Sequence, residues 1–430
     1  MALSTKPYKG ARDFYPEDKR FQKFLFEKWR EIVESYGYEE YDAPILEPLE
    51  IYLAKTGDEI VKEQTYVFED RGKRKVVIRP EMTPSVSRLV AGKRQELSYP
   101  LRWYSIPNLW RYERPQRGRL REHWQLNVDI FGVQSSDAEI ELISLIDDIF
   151  KSFGADESMY EIRVNNRALT NYILNDYLKL SKKSQHNVLK LIDRMHKMER
   201  NTFITKLDEC LTSKEKEKGF AEKLLVILSS KDISKLSEDI KKHSSYKELN
   251  DLLKRLKRSG TERVIFDPTL MRGFDYYTGI VFEAYDLDPN NNRSMMGGGR
   301  YDGLVGLFGV EPVPTVGFGW GDVTLYNFLQ IHHLLPTLST ETDVYVAQIG
   351  NTSEAVNGLA KKLRDSGIKV AIDYTGKKIG DQLKSASKKG VDKVMIIGEN
   401  EVRTQKYKLK TLSSGKEEEL SINDVIKALQ

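Results

Sequence analysis

Residues 101–132, LRWYSIPNLWRYERPQRGRLREHWQLNVDIFG, decide the fold class of this chain. Two apolar and aromatic runs, LRWYSIPNLWRYER and HWQLNVDIFG, flank the polar loop RPQRGRLRE. Strand-length runs on both sides of a polar loop predict a pair of antiparallel strands. A shorter pair precedes it, since TYVFED and KVVIRP flank the turn-forming residues RGKR. The first third of the chain therefore predicts an antiparallel sheet.

The rest of the chain alternates between helical and strand patterns. From Pro16 to Tyr36 an apolar face runs along a helix that Gly37 is placed to end. Between about residues 170 and 258 the apolar spacing is helical, which indicates an inserted helical module. Strand runs resume at RVIFDP, GIVFEAY and TVGFGWGD. After residue 341, short strands alternate with helices, as in a small parallel α/β domain.

Composition places the chain among ordinary globular proteins. Of its 430 residues, 40% are hydrophobic and 31% are charged, and no apolar run is long enough to span a bilayer. Cys210 is the single cysteine, which excludes an internal disulfide and a thiolate-rich zinc site. The six histidines show no HExxH spacing, so we expect no structural metal. Without a secretory signal pattern, a cytoplasmic location is the expectation.

Positive charge is concentrated in two places. Residues 181–260 carry 20 Lys and Arg against 12 Asp and Glu, although the whole chain has a net charge of only +4. The loop after residue 110 carries Arg111, Arg114, Arg117, Arg119 and Arg121. Because arginine forks bind phosphate oxygens in pairs, the loop indicates a nucleotide polyphosphate, a nucleic-acid end, or both. A solvated basic surface remains the alternative for each of these regions.

Two glycine-rich stretches, MMGGGRYDG and VGFGWGD, have neither the P-loop ending nor GxGxxG spacing. On their own they indicate tight turns or close backbone approach. A third stretch, MRGFDYYTGIVFEAY, sets an arginine, an acid and two tyrosines at the mouth of a strand.

These residues resemble the class II aminoacyl-tRNA synthetases, and among them the histidyl-tRNA synthetase family. YGYEEYDAPILEP is similar to the first class II motif, with Pro44 at a dimer interface, and WRYERPQRGRLREHWQLNVDIFG is similar to the second. MRGFDYYTG and GGGRYDGL resemble the two histidine-specific motifs, and the resemblance extends over essentially the whole chain.

The resemblance implies an α+β fold in which an antiparallel sheet flanked by helices forms the catalytic domain. That domain would comprise residues 1–168 and 261–335, with a helical insertion at 169–260 that approaches the tRNA acceptor stem. Residues 342–430 would form a C-terminal α/β anticodon-binding domain. The implied activity is ATP-dependent attachment of L-histidine to its tRNA through a histidyl-adenylate. The implied assembly is a homodimer, and Mg2+ would accompany ATP.

The resemblance also implies roles for individual residues. Arg272, Arg111 and Gln125 would be catalytic, with Arg272 as the main electrostatic group at the α-phosphate. Histidine would be bound by Glu81, Thr83, Gln125, Asp129, Tyr276, Tyr277 and Tyr301. ATP would be bound by Arg111, Arg119, His123 and Arg272. A site that pairs both ring nitrogens of histidine would reject analogues that lack them.

The chain departs from the family pattern at three positions. Val323 and Thr324 stand where the third class II motif usually has Glu-Arg, and that arginine usually binds the γ-phosphate. His123 occupies a position that often carries a phenylalanine stacked on adenine, and Asp129 stands where glutamate is frequent. Distal phosphate binding would therefore depend more heavily on Arg119 or on another residue.

Three alternatives share much of this pattern. One is a synthetase-like regulatory subunit of histidine biosynthesis, and a second is a tRNA sensor without aminoacylation activity. A third is another class II synthetase that shares the anticodon domain, such as one for proline or threonine, but RGFDYYTG argues against it. The missing motif-three arginine favours the sensor. The intact histidine-specific motifs and the C-terminal α/β pattern favour the synthetase.

Overall fold

The computed structural model describes residues 3–53, 64–195, 198–271, 276–291 and 293–430. The chain divides into two compact units. The first comprises Met1–Asp13 with Phe24–Leu335, and the second comprises Phe14–Lys23 with Pro336–Gln430. The helical segment at 169–260 belongs to the first unit, and its separation as a domain of its own stays a prediction.

A large mixed sheet forms the centre of the first unit. Its strands are β1 (Glu39–Glu40), β5 (Leu101–Ser105), β6 (Asn108–Trp110), β7 (Glu122–Phe131), β8 (Tyr160–Asn166), β9 (Val264–Phe266), β10 (Ile280–Asp286), β11 (Ser294–Arg300) and β12 (Thr315–Gly321). They follow the order β1-β5-β7-β12-β11-β10-β8-β9, and β6 pairs with β7. The edge pairs β1/β5 and β8/β9 are parallel and the pairs between them are antiparallel. The predicted antiparallel sheet is confirmed.

A small sheet in the order β2-β4-β3 lies in the same unit. Its strands are β2 (Leu46–Pro48), β3 (Tyr66–Glu69) and β4 (Lys75–Ile78). The predicted hairpin is correct, since β3 and β4 pair antiparallel and Lys73 in the turn has a positive φ of 59°.

Helices flank the large sheet and fill the inserted segment. In the first unit and at its boundary they are Pro16–Ser35, Glu50–Leu53, Thr83–Gly92, Asp137–Ser152, Arg167–Tyr172, Lys182–Asp193, Arg200–Cys210, Ser213–Glu217, Phe220–Leu228, Glu238–Lys241, Ser244–Arg258 and Asp322–Ile331. The first helix ends just before Gly37, as predicted, and Gly37 has a φ of +79°. The predicted helical insertion is confirmed by the run of short helices after residue 166.

Strand periodicity gives the large sheet two unlike faces. In β12 the alternate residues Val316, Phe318 and Trp320 are buried among apolar side chains. Trp320 packs against Phe150 of the helix Asp137–Ser152, with ring centroids 4.6 Å apart. Since successive residues of a strand point to opposite faces, the glycines between them line the other face. The glycine-rich stretches are strands with close backbone approach, and tight turns are excluded for residues 294–300 and 315–321.

The second unit has its own α/β sheet in the order β14-β13-β15-β16-β17. Its strands are β13 (Val344–Gln348), β14 (Val370–Ile372), β15 (Lys393–Ile397), β16 (Tyr407–Thr411) and β17 (Glu417–Leu420). Its helices are Ser353–Asp365, Ile379–Lys388, Glu399–Thr404 and Ile422–Leu429. The first three strands are parallel, as predicted, and an antiparallel hairpin follows.

A buried ion pair ties β11 to the helix Asp137–Ser152. Arg300 donates from Nε and Nη2 to the two carboxylate oxygens of Glu139, at 2.7 Å each. It also donates to the carbonyls of Val133 (2.9 Å) and Ser135 (3.1 Å). The side chains of Arg300 and Glu139 are 6% and 0% exposed, so each depends on the other for charge compensation.

Replacing Arg300 with methionine should destabilise the fold by about 3 to 5 kcal/mol, because Glu139 would remain buried without its partner. Denaturant unfolding of the two proteins measures this difference. The double variant Arg300→Met/Glu139→Leu should recover part of the loss. Equal stability of Arg300→Met and the parent protein would contradict the assignment of this pair.

Candidate active site

Glycines of β12 form a floor without side chains on one face of the large sheet. A Cβ atom at Gly317 would lie 1.9 Å from Oδ1 of Asp129, and one at Gly319 would lie 2.7 Å from Nε2 of Gln125. Real Cβ contacts of this length do not occur, so any larger residue would displace these side chains. The missing Cβ atoms therefore give Asp129 and Gln125, both on β7, the space to lie across β12.

Aromatic hydroxyls connect two buried carboxylates around this floor. The hydroxyl of Tyr301 donates to Oδ1 of Asp129, and the hydroxyl of Tyr276 donates to Oε2 of Glu81 at 3.1 Å. The rings of Tyr276 and Tyr301 meet edge to face, with centroids 5.7 Å apart. The carboxylates thus stand at either end of an aromatic wall.

Tyr277 extends the same wall. Its ring centroid lies 4.9 Å from that of Tyr276. The ring packs on the backbone of Gly299 so closely that a Cβ atom there would lie only 2.8 Å from Cδ1 of Tyr277. Tyr276, Tyr277 and Tyr301 belong to a single buried cluster. Of the predicted histidine-binding residues, the structure brings together Glu81, Thr83, Asp129 and these three tyrosines.

Burial governs the electrostatics of the wall. It raises the pKa of Asp129 to about 7, although the hydrogen bond from Tyr301 opposes the rise. Burial, and then the charge of Asp129, raise the pKa of the Tyr301 phenol well above its ordinary value. Burial and the charge of Glu81 do the same for the pKa of Tyr276. The phenols therefore stay protonated and act as donors near neutral pH.

Glu81 and Thr83 come from the segment that leads into the helix Thr83–Gly92. Thr83 is the first residue of that helix, and its hydroxyl hydrogen-bonds with Tyr276, which moderates the rise in the tyrosine pKa. The carbonyl of Glu81 accepts a hydrogen bond of 3.2 Å from the buried Tyr52 hydroxyl. Nε of Arg111 donates to the carbonyl of Pro80 at 2.8 Å, which holds this arginine beside the same segment.

His123 lies on β7 opposite Leu109 of β6. Burial lowers the pKa of His123 to about 3, and the nearby guanidinium groups of Arg111 and Arg12 lower it further. The imidazole is thus neutral at physiological pH. A neutral ring beside a guanidinium can stack on a planar base without repelling it.

The arginines of the loop serve different purposes. Arg119 has a side chain that is 59% exposed, with Nη1 3.7 Å from Oε2 of Glu113. Arg121 donates to the hydroxyl of Tyr8 at 2.8 Å and stacks over the ring of Tyr112, 4.1 Å from its centroid. Arg121 therefore anchors the loop, while Arg119 projects from it. Arg119 lies in the loop between β6 and β7.

Family models match both units. One described as histidyl-tRNA synthetase matches residues 10–321, and one described as an anticodon binding domain matches residues 343–430. The chain belongs to the histidyl-tRNA synthetase family. A histidine–tRNA ligase of Leptospira biflexa is 43% identical over 100% of this chain and 98% of its own length. One of Thermoplasma volcanium is 37% identical over 100% and 99%, respectively.

Solved structures of this family share the fold. A histidyl-tRNA synthetase from Nostoc sp. PCC 7120 superposes with a TM-score of 0.82, at 23% identity and with 100% and 99% of the two chains covered. The apo Staphylococcus aureus histidyl-tRNA synthetase gives a TM-score of 0.75 at 23% identity, over 99% of this chain and 100% of that one.

Some predicted features of this synthetase-family site stay open. Arg272, the predicted electrostatic catalyst, lies outside the described residues.

Within the described ranges, no helix combines the length and apolarity needed to cross a membrane. In the same part of the chain, no group of three or more His, Cys, Asp or Glu side chains could hold a metal ion.

Sequence reasoning missed two features of the site. The alternation of glycine with apolar residues in VGFGWGD has the period of a strand, and it could have indicated a floor without side chains. The second feature is an ion pair at the start of the helix Asp322–Ile331, between the buried Asp322 and the half-buried Arg12. Nη2 of Arg12 donates to Oδ2 of Asp322 at 2.7 Å, and Oδ1 of Asp322 accepts from the backbone of Trp124 at 3.0 Å. No motif links residues so distant in sequence.

Replacing Gly317 with alanine should eliminate histidine binding, because the new Cβ atom would overlap the Asp129 carboxylate. Overpacking of this kind also destabilises a fold by about 1 to 3 kcal/mol. Gly358→Ala is the matched control, since a Cβ atom there meets nothing within 4 Å on an exposed helix. Titration calorimetry with histidine measures the effect, and unchanged binding by Gly317→Ala would contradict the proposed floor.

Asp129 should make stability depend on pH in an unusual direction. Because its pKa is raised to about 7 on folding, the folded state holds a proton that the unfolded state loses above about pH 4. The contribution of Asp129 to the free energy of unfolding is fully present below about pH 4 and is lost as the pH rises to about 7. Asp129→Asn should therefore gain up to roughly 4 kcal/mol relative to the parent protein between pH 4 and pH 8.

Denaturant midpoints of both proteins across this range test the sign. The exposed Asp251→Asn variant is the control for replacing an acid with an amide. A difference between Asp129→Asn and the parent that does not change with pH would refute the raised pKa.

Proposed function

We propose that this chain attaches L-histidine to its tRNA in two steps, with a histidyl-adenylate as the intermediate and pyrophosphate and AMP as products. The observation that carries the proposal is the pair of buried carboxylates, Glu81 and Asp129, set across an aromatic wall on a glycine floor. A free amino acid with a heteroaromatic ring offers a cation at one end and ring N–H groups at the other. Glu81 would suit the cation and Asp129 a ring N–H group, and the full-length match to histidine–tRNA ligases supports the proposal.

Recognition of histidine is assigned to the two ends of the wall. Glu81, with Thr83 and Gln125 beside it, would accept hydrogen bonds from the α-ammonium group. Asp129 and Tyr277 would pair with the imidazole nitrogens. Since both carboxylates are already held by tyrosine hydroxyls, their positions are set before the amino acid binds. An analogue without ring nitrogens would leave Asp129 buried without a ligand donor, which costs affinity.

The first step needs positioning and positive charge. The histidine carboxylate is already anionic, so its oxygen attacks the α-phosphorus without a general base, and the bond to pyrophosphate breaks. Arg111, fixed by the Pro80 carbonyl, is assigned to the α-phosphate together with Arg272, and Arg119 to the distal phosphates. Gln125 would hold the attacking carboxyl in place. The neutral ring of His123 would stack on adenine.

Mg2+ belongs to this proposal as the companion of ATP. It usually keeps several waters and is bound through phosphates with one or two carboxylates, so the lack of a multi-residue cage among the described residues is compatible with it. When bound, it would neutralise phosphate charge as pyrophosphate departs.

The second step brings in tRNA. A hydroxyl of the terminal ribose attacks the histidyl carbonyl carbon, and AMP leaves. The basic segment at 181–260 suits the phosphates of an acceptor stem, and the second unit suits the anticodon, since it matches an anticodon-binding domain model. The regulatory-subunit alternative is not favoured, because relatives matched over the full chain are histidine–tRNA ligases.

A homodimer in the cytoplasm completes the proposal. The small sheet and the residue before it expose apolar side chains. Ile45 and Leu46 are 54% and 49% exposed, and Val67 and Phe68 are 43% and 44% exposed. An apolar patch of this kind on a folded unit indicates a protein interface. A second copy of this chain is its proposed occupant.

Exchange of radiolabelled pyrophosphate into ATP, run with each of the twenty amino acids, tests the activity. We expect exchange with histidine alone. In the same assay Tyr301→Phe should raise KM for histidine about tenfold and leave KM for ATP unchanged, because Asp129 loses its hydroxyl donor. The exposed Tyr374→Phe variant is the control. Exchange that is equally efficient with a different amino acid, or an equal change of both KM values, would refute the assignment.

A further inference from the structure

Thr324, at the position of the usual motif-three arginine, has a structural role in this chain. Its Oγ1 donates to the carbonyl of Met295 at 2.7 Å and lies 2.9 Å from the carbonyl of Gly321. The side chain thus joins the start of the helix Asp322–Ile331 to the start of β11. It carries no charge, so a cation for the distal phosphates must come from elsewhere.

Arg293 precedes β11 at this same place. It is exposed, and its Nη1 donates to the carbonyl of Arg117 at 3.1 Å and lies 3.5 Å from Oε1 of Gln116. In return, Nη1 of Arg117 donates to the carbonyl of Asn290 at 3.2 Å. The arginine loop and the turn before β11 therefore hold each other through reciprocal contacts.

The loop also passes close to Thr324. A Cβ atom at Gly118 would lie 3.8 Å from Cγ2 of Thr324. Arg293, Arg117 and the exposed Arg119 thus project from one small region around the threonine. Guanidinium forks bind phosphate oxygens, so this region offers positive charge to a bound polyanion.

A buried network keeps the turn in place. Oδ2 of Asp286, at the end of β10, accepts from Nδ2 of Asn291 at 2.7 Å. Oδ1 accepts from the backbone of Asp288 at 2.8 Å and lies 2.8 Å from Nε2 of His332. Because these partners come from the turn and from the end of the helix, the turn is fixed from both sides. These contacts hold Asp288 and Asn291, which precede Arg293 in the chain, against the end of β10.

The pairing of the strands locates Arg293 relative to the pocket. Met296 of β11 pairs with Trp320 of β12, and Gly321 pairs with Gln125 of β7. Arg293 therefore lies at the end of the sheet where β7 begins, which is the end that carries His123 and Gln125. This is the nucleotide end of the proposed site.

We propose that Arg293 binds the distal phosphates of ATP, in place of the arginine that Thr324 replaces. This inference rests on the proposed function, because it names a further residue for the same ATP site. Arg293 belongs to the turn before β11, whereas the position of the usual arginine, here Thr324, is on the helix after β12. The loop that carries Arg119 contacts it, so both forks can reach the same phosphates.

Calorimetric binding of ATP and of AMP to the full-length protein tests the proposal. Arg293→Ala should weaken ATP binding by tenfold or more and leave AMP binding unchanged, since AMP lacks the β- and γ-phosphates. Arg403→Ala is the control, because Arg403 is exposed in the second unit and contacts an amide oxygen. Adding Thr324→Arg to Arg293→Ala should restore part of the ATP affinity, because it returns a guanidinium to the same region.

The outcomes separate this inference from the proposed function. Equal losses for ATP and AMP would mean that Arg293 only supports the loop, and they would overturn the inference. Unchanged ATP binding would overturn it as well. A selective loss for ATP in a protein that shows no histidine-dependent exchange would support the phosphate contact and reject the aminoacylation function.

Discussion

The close approach of β7 side chains to the backbone of β12 is the constraint on which the site depends. Asp129 and Gln125 occupy the space in which Cβ atoms of Gly317 and Gly319 would lie. The opposite face of the same strand is fully apolar and packs on the helix Asp137–Ser152. A single strand therefore builds the core with one set of residues and opens the pocket with the other. Sheet and pocket cannot be changed independently.

Burial then determines what the pocket can recognise. Asp129 has a raised pKa because the surrounding rings exclude water, and the Tyr301 hydroxyl compensates only part of that cost. Under the proposed function, an N–H donor of the ligand would supply the rest, and selectivity would follow from that bond. By contrast, Arg300 is fully engaged by Glu139, Asp302 and two backbone carbonyls, and the arginine of GGGRYDGL is structural.

Much of the fold could be predicted from the sequence because its signals are local. The helix Pro16–Ser35, the hairpin of β3 and β4, and the parallel strands of the second unit follow from periodicity and turn residues. The strand β11 could not be predicted, because glycine disfavours strands and is retained here by contacts across the sheet. The charged hairpin of β16 and β17 lacks an apolar run.

The site required more than local signals. Tyr276 and Glu81 are 195 residues apart in sequence yet hydrogen-bonded, so only the resemblance to a family could place them together. The same resemblance could not show that Arg121 is held by Tyr8 and Tyr112 while Arg119 is exposed. Nor does any pattern connect Arg12 with Asp322, because their pairing depends on the folded path of the N-terminal segment.

The low pKa of His123 has a consequence for how the pocket responds to its surroundings. A histidine that titrated near neutrality would change its attraction for an aromatic base whenever the cell became more acidic. This imidazole stays uncharged until the medium is far more acidic than any cellular compartment. Contact of His123 with a purine would thus depend on shape and dispersion, and its strength would not change when the cell becomes more acidic.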